Sequence, residues 1–333
     1  MTKKLTVGGV CSGVGGIELG FQQAGFEVRW ANEIDPHACR TYRKNFKHTL
    51  YECDLGDLFS PKPGDLASVD ILASGFPCQP FSVAGYQKGF EDDRGNIFYK
   101  IMNLVDSMQE KPKVLFLENV KNLYTHDKKR TYARIYSELE ARGYSVFTKI
   151  LNTASYTKIP QNRERTFIIC FRNEAGWEFD PKKGPKSKKF SKLFPPKPVG
   201  NPDSIHEYLE KTEVDDYYYY RQDKYMYEDL RKAIKSEDTI YQWRRVYVRE
   251  NQSNQCPTLT ANMGTGGHNV PLIKTEDGFR KLTPRECFNF QGYPKSFKLP
   301  DKLGRSQLYK QAGNSVTVPL IKKLALLIKE TLI

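Results

Sequence analysis

Apolar residues in the first 170 positions fall into short runs separated by stretches of helical spacing. The runs occupy residues 5–10, 28–31, 69–73, 114–117, 145–151 and 166–171. They are rich in the branched and aromatic side chains that suit a pleated, half-buried surface. Between them Ile97, Ile101, Leu104, Val105 and Met108 recur at helical spacing, as do Tyr132, Ile135, Tyr136 and Leu139, each set marking one apolar helix face. Alternation of this kind predicts an α/β fold built on a parallel, doubly wound sheet, with ligands at the carboxyl ends of its strands.

The rhythm then breaks. Residues 181–203 hold seven lysines and six prolines, too interrupted for a helix or a central strand, and read as a surface linker or the entry to a second unit. Residues 215–230 and 241–270 mix aromatic, basic and Gly/Asn-rich pieces without a sustained period, so a loop-rich binding region is expected there. Residues 316–333 regain helical periodicity, with Leu320, Leu324, Leu327 and Ile328 on one face, and are expected to pack back on the first domain.

Composition narrows the classes. The chain has 333 residues, 39% hydrophobic and 27% charged, a globular balance, and no stretch approaches the ~18 apolar residues of a membrane span. The glycine-broken N-terminus is unlike a secretory signal, so a cytoplasmic protein is expected. Seven cysteines without a CxxC pair and five dispersed histidines suggest neither a disulfide framework nor a metal site. A formal net charge of +13, from 52 basic and 39 acidic residues, suits a polyanionic partner or plain solubility.

The first run leads into CSGVGGIELGFQQAGF, where Gly13, Gly15 and Gly16 permit a tight turn and a close backbone approach to a ligand. Glu18 stands where a dinucleotide fingerprint has its third glycine, and its charge in the first helical turn is expected to repel a pyrophosphate, which disfavours a nicotinamide oxidoreductase. Glu33, ending the second strand about twenty residues on, suits ribose hydroxyls. A nucleoside without phosphates fits both features. S-adenosylmethionine is the commonest such cofactor, and Asp54 is placed to meet its adenine amino group. Taken alone, Glu33 or Asp54 reads equally well as a helix or turn cap.

Cys78 sits between Pro77 and Pro80 in SGFPCQPFS, after an apolar strand. Proline stiffness would hold it in one orientation, as a nucleophile requires. Glu118 arrives at the same edge after four apolar or aromatic residues, surroundings that can keep a carboxyl protonated. Arg163 and Arg165, two apart, are expected on one face of an extended segment, where they could bind phosphate or stabilise developing charge. Singly, each has a plainer reading: a buried thiol, a helix-start acid, surface charges. Chance placement of all three at one edge is much harder to accept.

These blocks, with NEID, FLENVKNL, PQNRERTFIICFRN, RKLTPRECFNFQGYP and YKQAGNSVTVPL, closely resemble the DNA (cytosine-5) methyltransferases of bacterial and phage modification systems. The likeness covers nearly the whole chain outside residues 172–279. It implies a doubly wound mixed sheet of the Rossmann-like, S-adenosylmethionine-dependent methyltransferase type: residues 1–210 as catalytic large domain, 211–282 as a smaller target-recognition domain, 283–302 as hinge and 303–333 as a return to the large domain.

By the same resemblance Cys78 attacks carbon 6 of a flipped cytosine, Glu118 binds its ring nitrogen 3 and amino group, and Arg165 with Arg163 supports the flipped nucleotide. Cys11, Gly13, Gly15, Gly16, Glu33, Ile34, Asp54, Leu55, Pro77, Ile97, Asn314 and Val316 would hold S-adenosylmethionine. Cys11 departs from the family's usual phenylalanine, which weakens the expected adenine contact. Gln79, Ser82, Gln87 and Arg94, in or beside a mobile loop at 82–94, together with Gln242, Arg244, Arg245, Arg249, Thr258 and Leu259, would contact DNA. The implied partner is double-stranded DNA, with no metal, no membrane, a monomeric enzyme, and a cognate restriction endonuclease in the same system that it does not touch. The implied location is the cytoplasm of a bacterial or phage-infected cell, at the nucleoid. Methylation of cytosine in transfer RNA on the same scaffold is the alternative activity, and a silent DNA-binding relative the alternative of another class.

Overall fold

The structure is a computed structural model. It describes residues 4–59, 66–77, 97–173, 179–180, 184–185, 193–196, 201–224, 226–244, 247–251, 253–264 and 270–332. Cys78, Gln79, Ser82, Gln87, Arg94 and Arg245, with the whole 82–94 loop, lie outside the described residues. The chain divides into two compact units: Met1–Leu151, Glu164–Pro196 and Leu320–Ile333 form the larger, Asn152–Arg163 and Lys197–Pro319 the smaller. These bounds differ from the sequence reading, because residues 152–163 and 283–319 make their contacts within the smaller unit and only Leu320–Ile333 belong with the larger.

In the larger unit a seven-stranded sheet contains β1 (Thr6–Val10), β2 (Glu27–Asn32), β3 (Thr49–Tyr51), β4 (Ile71–Ser74), β5 (Val114–Val120) and β6 (Tyr144–Asn152). Its seventh strand, β8 (Glu164–Arg172), follows the two-residue β7 (Gln161–Asn162), which lies in the smaller unit. The strand order is β3-β2-β1-β4-β5-β8-β6. Pairing is parallel from β3 to β5, as expected for strands reached over helices.

β8 runs antiparallel to β5, Val114 facing Phe171 and Val120 facing Arg165, so the sheet is mixed rather than wholly parallel. Only the one-turn α6 (Thr153–Tyr156) and β7 separate β6 from β8. That connection holds no crossover helix, the element on which a parallel reading rests. A two-stranded pair, β9 (Phe179–Asp180) and β10 (Gly184–Pro185), lies in the lysine- and proline-rich stretch.

The described helices of this unit include, besides the C-terminal one given below, α1 (Gly16–Gln23), α2 (Pro36–Asn45), α3 (Ile97–Ser107), the short α4 (Asn122–Thr125) and α5 (Arg130–Ala141). α2 starts where Asp35 accepts the His37 N–H and Pro36 presets the first turn. Ile101, Leu104 and Val105 of α3 and Ile135 and Leu139 of α5 are buried with Leu72, Leu115 and Leu117 of the sheet. Burial on both faces explains why β4 and the first half of β5 are continuous apolar runs rather than alternating ones.

The smaller unit has more regular structure than its sequence suggests. It contains α7 (Tyr227–Ala233), β11 (Tyr241–Arg244), β12 (Tyr247–Glu250), β13 (Cys256–Pro257), β14 (Leu272–Thr275), β15 (Gly278–Lys281), α8 (Pro284–Phe290) and α9 (Arg305–Asn314). A four-stranded sheet of order β12-β11-β14-β15 packs Tyr241, Trp243 and Leu272 against Met226, Leu230 and Ile234. α8 opens with a complete capping box between Thr283 and Glu286. Glu286 is fully buried and paired in fork fashion with Arg280, at 2.7 and 2.8 Å. The last helix, α10 (Val318–Leu332), sets Ile321 against Gly20 and gives Ala24 a Lys329 hydrogen bond. No described helix is long and apolar enough to cross a membrane.

Candidate active site

The turn after β1 is built on left-handed backbone at Cys11, Gly13 and Gly15, with φ of 53°, 57° and 85°. Gly15 has a second constraint: a Cβ there would sit 2.3 Å from the Phe46 ring, so both conformation and space demand glycine. Glu33 spans the turn. Its Oε2 accepts the Gly13 N–H at 2.7 Å, and its Oε1 accepts from the Ile34 and Asp35 N–H groups at 2.9 and 2.8 Å. Beside it Ile34 is 63% exposed, an unusual position for a large apolar side chain.

Asp54 Oδ1 accepts from Lys100 at 2.6 Å and from the Gly56 N–H at 2.7 Å. Those two partners hold its carboxyl below the usual range. Lys100, from α3, had no role in the sequence reading. Leu55 is buried in the core beneath, Ile97 packs against that core at the start of α3, and Pro77 is exposed. Burial, and after it the Glu33 carboxylate, push the Cys11 thiol up to about 12, so it carries no thiolate at neutral pH.

Glu18 departs from its expected role. Its side chain turns inward, 1% exposed, with Oε1 close over Gly9, and burial pushes its carboxyl up to about 7. It does not stand at the helix mouth as a charge against a phosphate. The tight turn, not Glu18, is what the loop offers a ligand.

At the end of β5, Glu118 is 7% exposed and forms an ion pair with Arg165 of β8, Nε to Oε1 3.3 Å. Its surroundings are therefore not the purely apolar ones read from the strand. Burial disfavours the Arg165 charge and Glu118 opposes that effect. A Cβ added to Gly75 would lie 3.6 Å from Glu118 Oε2, which brings the carboxylate to the chain three residues ahead of Cys78. The neighbouring Asn119, not singled out in sequence, donates its side-chain amide to the Phe76 carbonyl at 2.9 Å. That bond ties the segment leading to Cys78 to the strand that bears Glu118.

Arg163 and Arg165 do not form the expected pair. Arg163 belongs to the smaller unit, is 2% exposed, and donates to the backbone carbonyls of Leu259 at 2.8 Å, Gly313 at 3.1 Å and Ser315. It braces the 313–315 turn and the 258–259 segment. Thr258 donates its hydroxyl to the Asn162 carbonyl at 2.7 Å, and Leu259 is fully buried. Asn314 is exposed and Val316 buried in the same unit. Gln242, Arg244 and Arg249 stand on the β11–β12 hairpin. No group of three or more His, Cys, Asp or Glu suited to a metal exists among the described residues.

A doubly wound mixed sheet with a glycine turn, a carboxylate at the second strand end and a buried Glu–Arg pair at the same edge defines a Rossmann-like enzyme. Comparison with known proteins makes the class specific. A family profile described as C-5 cytosine-specific DNA methylase matches residues 5–330. The Type II methyltransferase M.Bsp6I of Bacillus sp. (strain RFL6) is 50% identical, over 96% of this chain and 97% of its own length. Type II methyltransferase M.HhaI of Haemophilus parahaemolyticus is 34% identical over 94% and 91%. In fold, the crystal structure of a Spodoptera frugiperda DNMT2 mutant superposes with a TM-score of 0.72 at 19% identity, covering 99% of this chain and 100% of the other. The chain belongs to the C-5 cytosine-specific DNA methylases.

Proposed function

We propose that the protein methylates carbon 5 of a cytosine turned out of double-stranded DNA, with Cys78 as nucleophile and Glu118 as the group that recognises and polarises the base. The observation that carries this reading is the Glu118–Arg165 pair beside Gly75, with Asn119 holding the Phe76 carbonyl. It brings a fixed carboxyl and the segment leading to Cys78 to one strand edge. A thiolate adding to carbon 6 makes carbon 5 electron-rich, and Glu118, donating a proton to ring nitrogen 3 and accepting a hydrogen bond from the amino group, favours that addition. Once carbon 5 carries the methyl group, loss of its proton to solvent re-forms the C5–C6 double bond, breaks the carbon–sulfur bond and frees the Cys78 thiolate. A base inside the duplex stack is out of reach, so the nucleotide must be extruded. Arg165 positions Glu118.

The β1 turn suits S-adenosylmethionine. Among the described residues nothing lies within 4 Å of where a Gly13 Cβ would project, and Glu33 with the exposed Ile34 offers acceptors and an apolar face for a nucleoside. When bound, S-adenosylmethionine supplies the electrophilic methyl group. Gly13, Gly15, Gly16, Glu33, Ile34 and Asp54 would hold it, with Cys11, Leu55, Pro77, Ile97, Asn314 and Val316 completing the site. The enzyme acts as a monomer in the cytoplasm, on nucleoid DNA, beside a restriction endonuclease that it does not contact.

Bisulfite sequencing of unmethylated duplex DNA incubated with the protein and S-adenosylmethionine should reveal methylated cytosine at one recurring sequence. A Cys78→Ala protein should leave that DNA unmodified. Methylation by that variant equal to the wild type would remove Cys78 from the mechanism.

A further inference from the structure

The β11–β12 hairpin has two unlike faces. Its antiparallel register pairs Tyr241 with Glu250, Gln242 with Arg249, Trp243 with Val248 and Arg244 with Tyr247. Directly opposed residues share a face and alternate ones change it. Tyr241 and Trp243 are buried on the core side with Met226, Leu230 and Leu272. Gln242, Arg244, Tyr247 and Arg249 therefore share the other face, where Gln242 is half-buried and the other three are exposed. Tyr247 is 55% exposed.

On that outward face Arg249 donates Nη2–H to Gln242 Oε1 at 2.8 Å. The bond sits on a two-stranded ribbon whose reverse side is anchored in the core, so the guanidinium is held by its neighbour rather than left to sample its rotamers. It also decides what the pair can offer. The guanidinium has no acceptor, so the edges that Arg249 keeps free of Gln242 offer N–H donors only.

Among base edges in the major groove, guanine alone presents two acceptors side by side, N7 and O6. Adenine alternates an acceptor with a donor, cytosine offers a donor, and thymine a single acceptor beside a methyl group. In the four-stranded sheet β11 pairs with β14 only at Tyr241, so beyond that residue the hairpin is two-stranded, and a two-stranded ribbon fits that groove. Resting on the DNA-methylating activity argued above, we propose that the Gln242–Arg249 pair reads a guanine of the target site, Arg249 making the base contact and Gln242 acting as its positioning residue.

The test uses the full chain and a pool of duplexes randomised around a cytosine. Affinity selection without S-adenosylmethionine is compared with the methylated motif found by bisulfite sequencing. The wild type should select a guanine at a fixed position. Arg249→Lys and Arg249→Ala, with melting temperatures near that of the wild type, should abolish preference at that position alone and lower kcat/KM on the preferred site about 10- to 100-fold. Gln242→Ala should relax the same position in part, and Gln242→Glu, which keeps an acceptor for Arg249, should restore it. A uniform loss across all sequences for Arg249→Ala would make it a phosphate contact and overturn the proposal, as would a selected site without guanine. Selection of guanine without any methylation would instead sink the activity and leave this recognition standing.

Discussion

Glu18 shows how one residue can defeat a spacing argument. Its position in the first turn of α1 suggests a charge facing a ligand, yet the helix start is rotated so that the carboxyl enters the interior over Gly9. Nothing in one sequence reports that rotation. A carboxyl whose pKa rises from 4.5 to about 7 on folding stabilises the protein fully below the unfolded value and loses that contribution as pH climbs through the folded one. The loss falls between about pH 4.5 and 7 and, for a group 1% exposed, amounts to about 3 kcal/mol. Denaturant midpoints of the wild type and Glu18→Gln should therefore be similar near pH 4.5 and diverge toward pH 7, the variant becoming the more stable. Parallel curves across that range would place the carboxyl in contact with solvent.

At the scale of elements, legibility followed periodicity. The six apolar runs all contain strands, because a strand buried on both faces writes itself as a continuous apolar stretch. The direction of β8 was not in the apolar pattern, and the mixed sheet was expected only from the family resemblance. Nor did that pattern show the β12-β11-β14-β15 sheet, whose strands are only four residues long and whose core aromatics on β11, Tyr241 and Trp243, stand beside polar and basic residues. Arg163 illustrates the same limit in the site: the alternation that placed it beside Arg165 stops between β7 and β8, and the side chain instead satisfies three carbonyls of distant segments.

Its role there is testable against a catalytic one. Arg163→Met should lower stability by about 3–5 kcal/mol, since buried carbonyls lose charged donors worth about 1.5–3 kcal/mol each and only part of that loss is recovered by relaxation. Arg163→Lys should recover little, because one ammonium cannot reproduce the guanidinium fork. Calorimetric melting of both variants checks this, and unchanged melting with lost activity would return Arg163 to the chemistry.

For the whole molecule, the charge excess is spread rather than confined to a recognition region. The larger unit carries 31 basic against 23 acidic residues and the smaller 21 against 16, net +8 and +5. Each unit by itself therefore meets a polyanion such as duplex DNA with net positive charge. Such binding is driven by counterion release, so log Kobs should fall linearly with log salt at about 0.9 per phosphate contacted. With about 6–10 contacts, affinity for a non-specific duplex drops about 10³- to 10⁵-fold between 50 and 200 mM salt. Cys78→Ala should show the same slope, because the change removes no charge and the role proposed for the thiol is against the base and not the backbone. Fluorescence anisotropy on a labelled duplex across that salt range measures both. A slope near zero would mean that the +13 charge serves solubility alone and that DNA is held by groups other than its lysines and arginines.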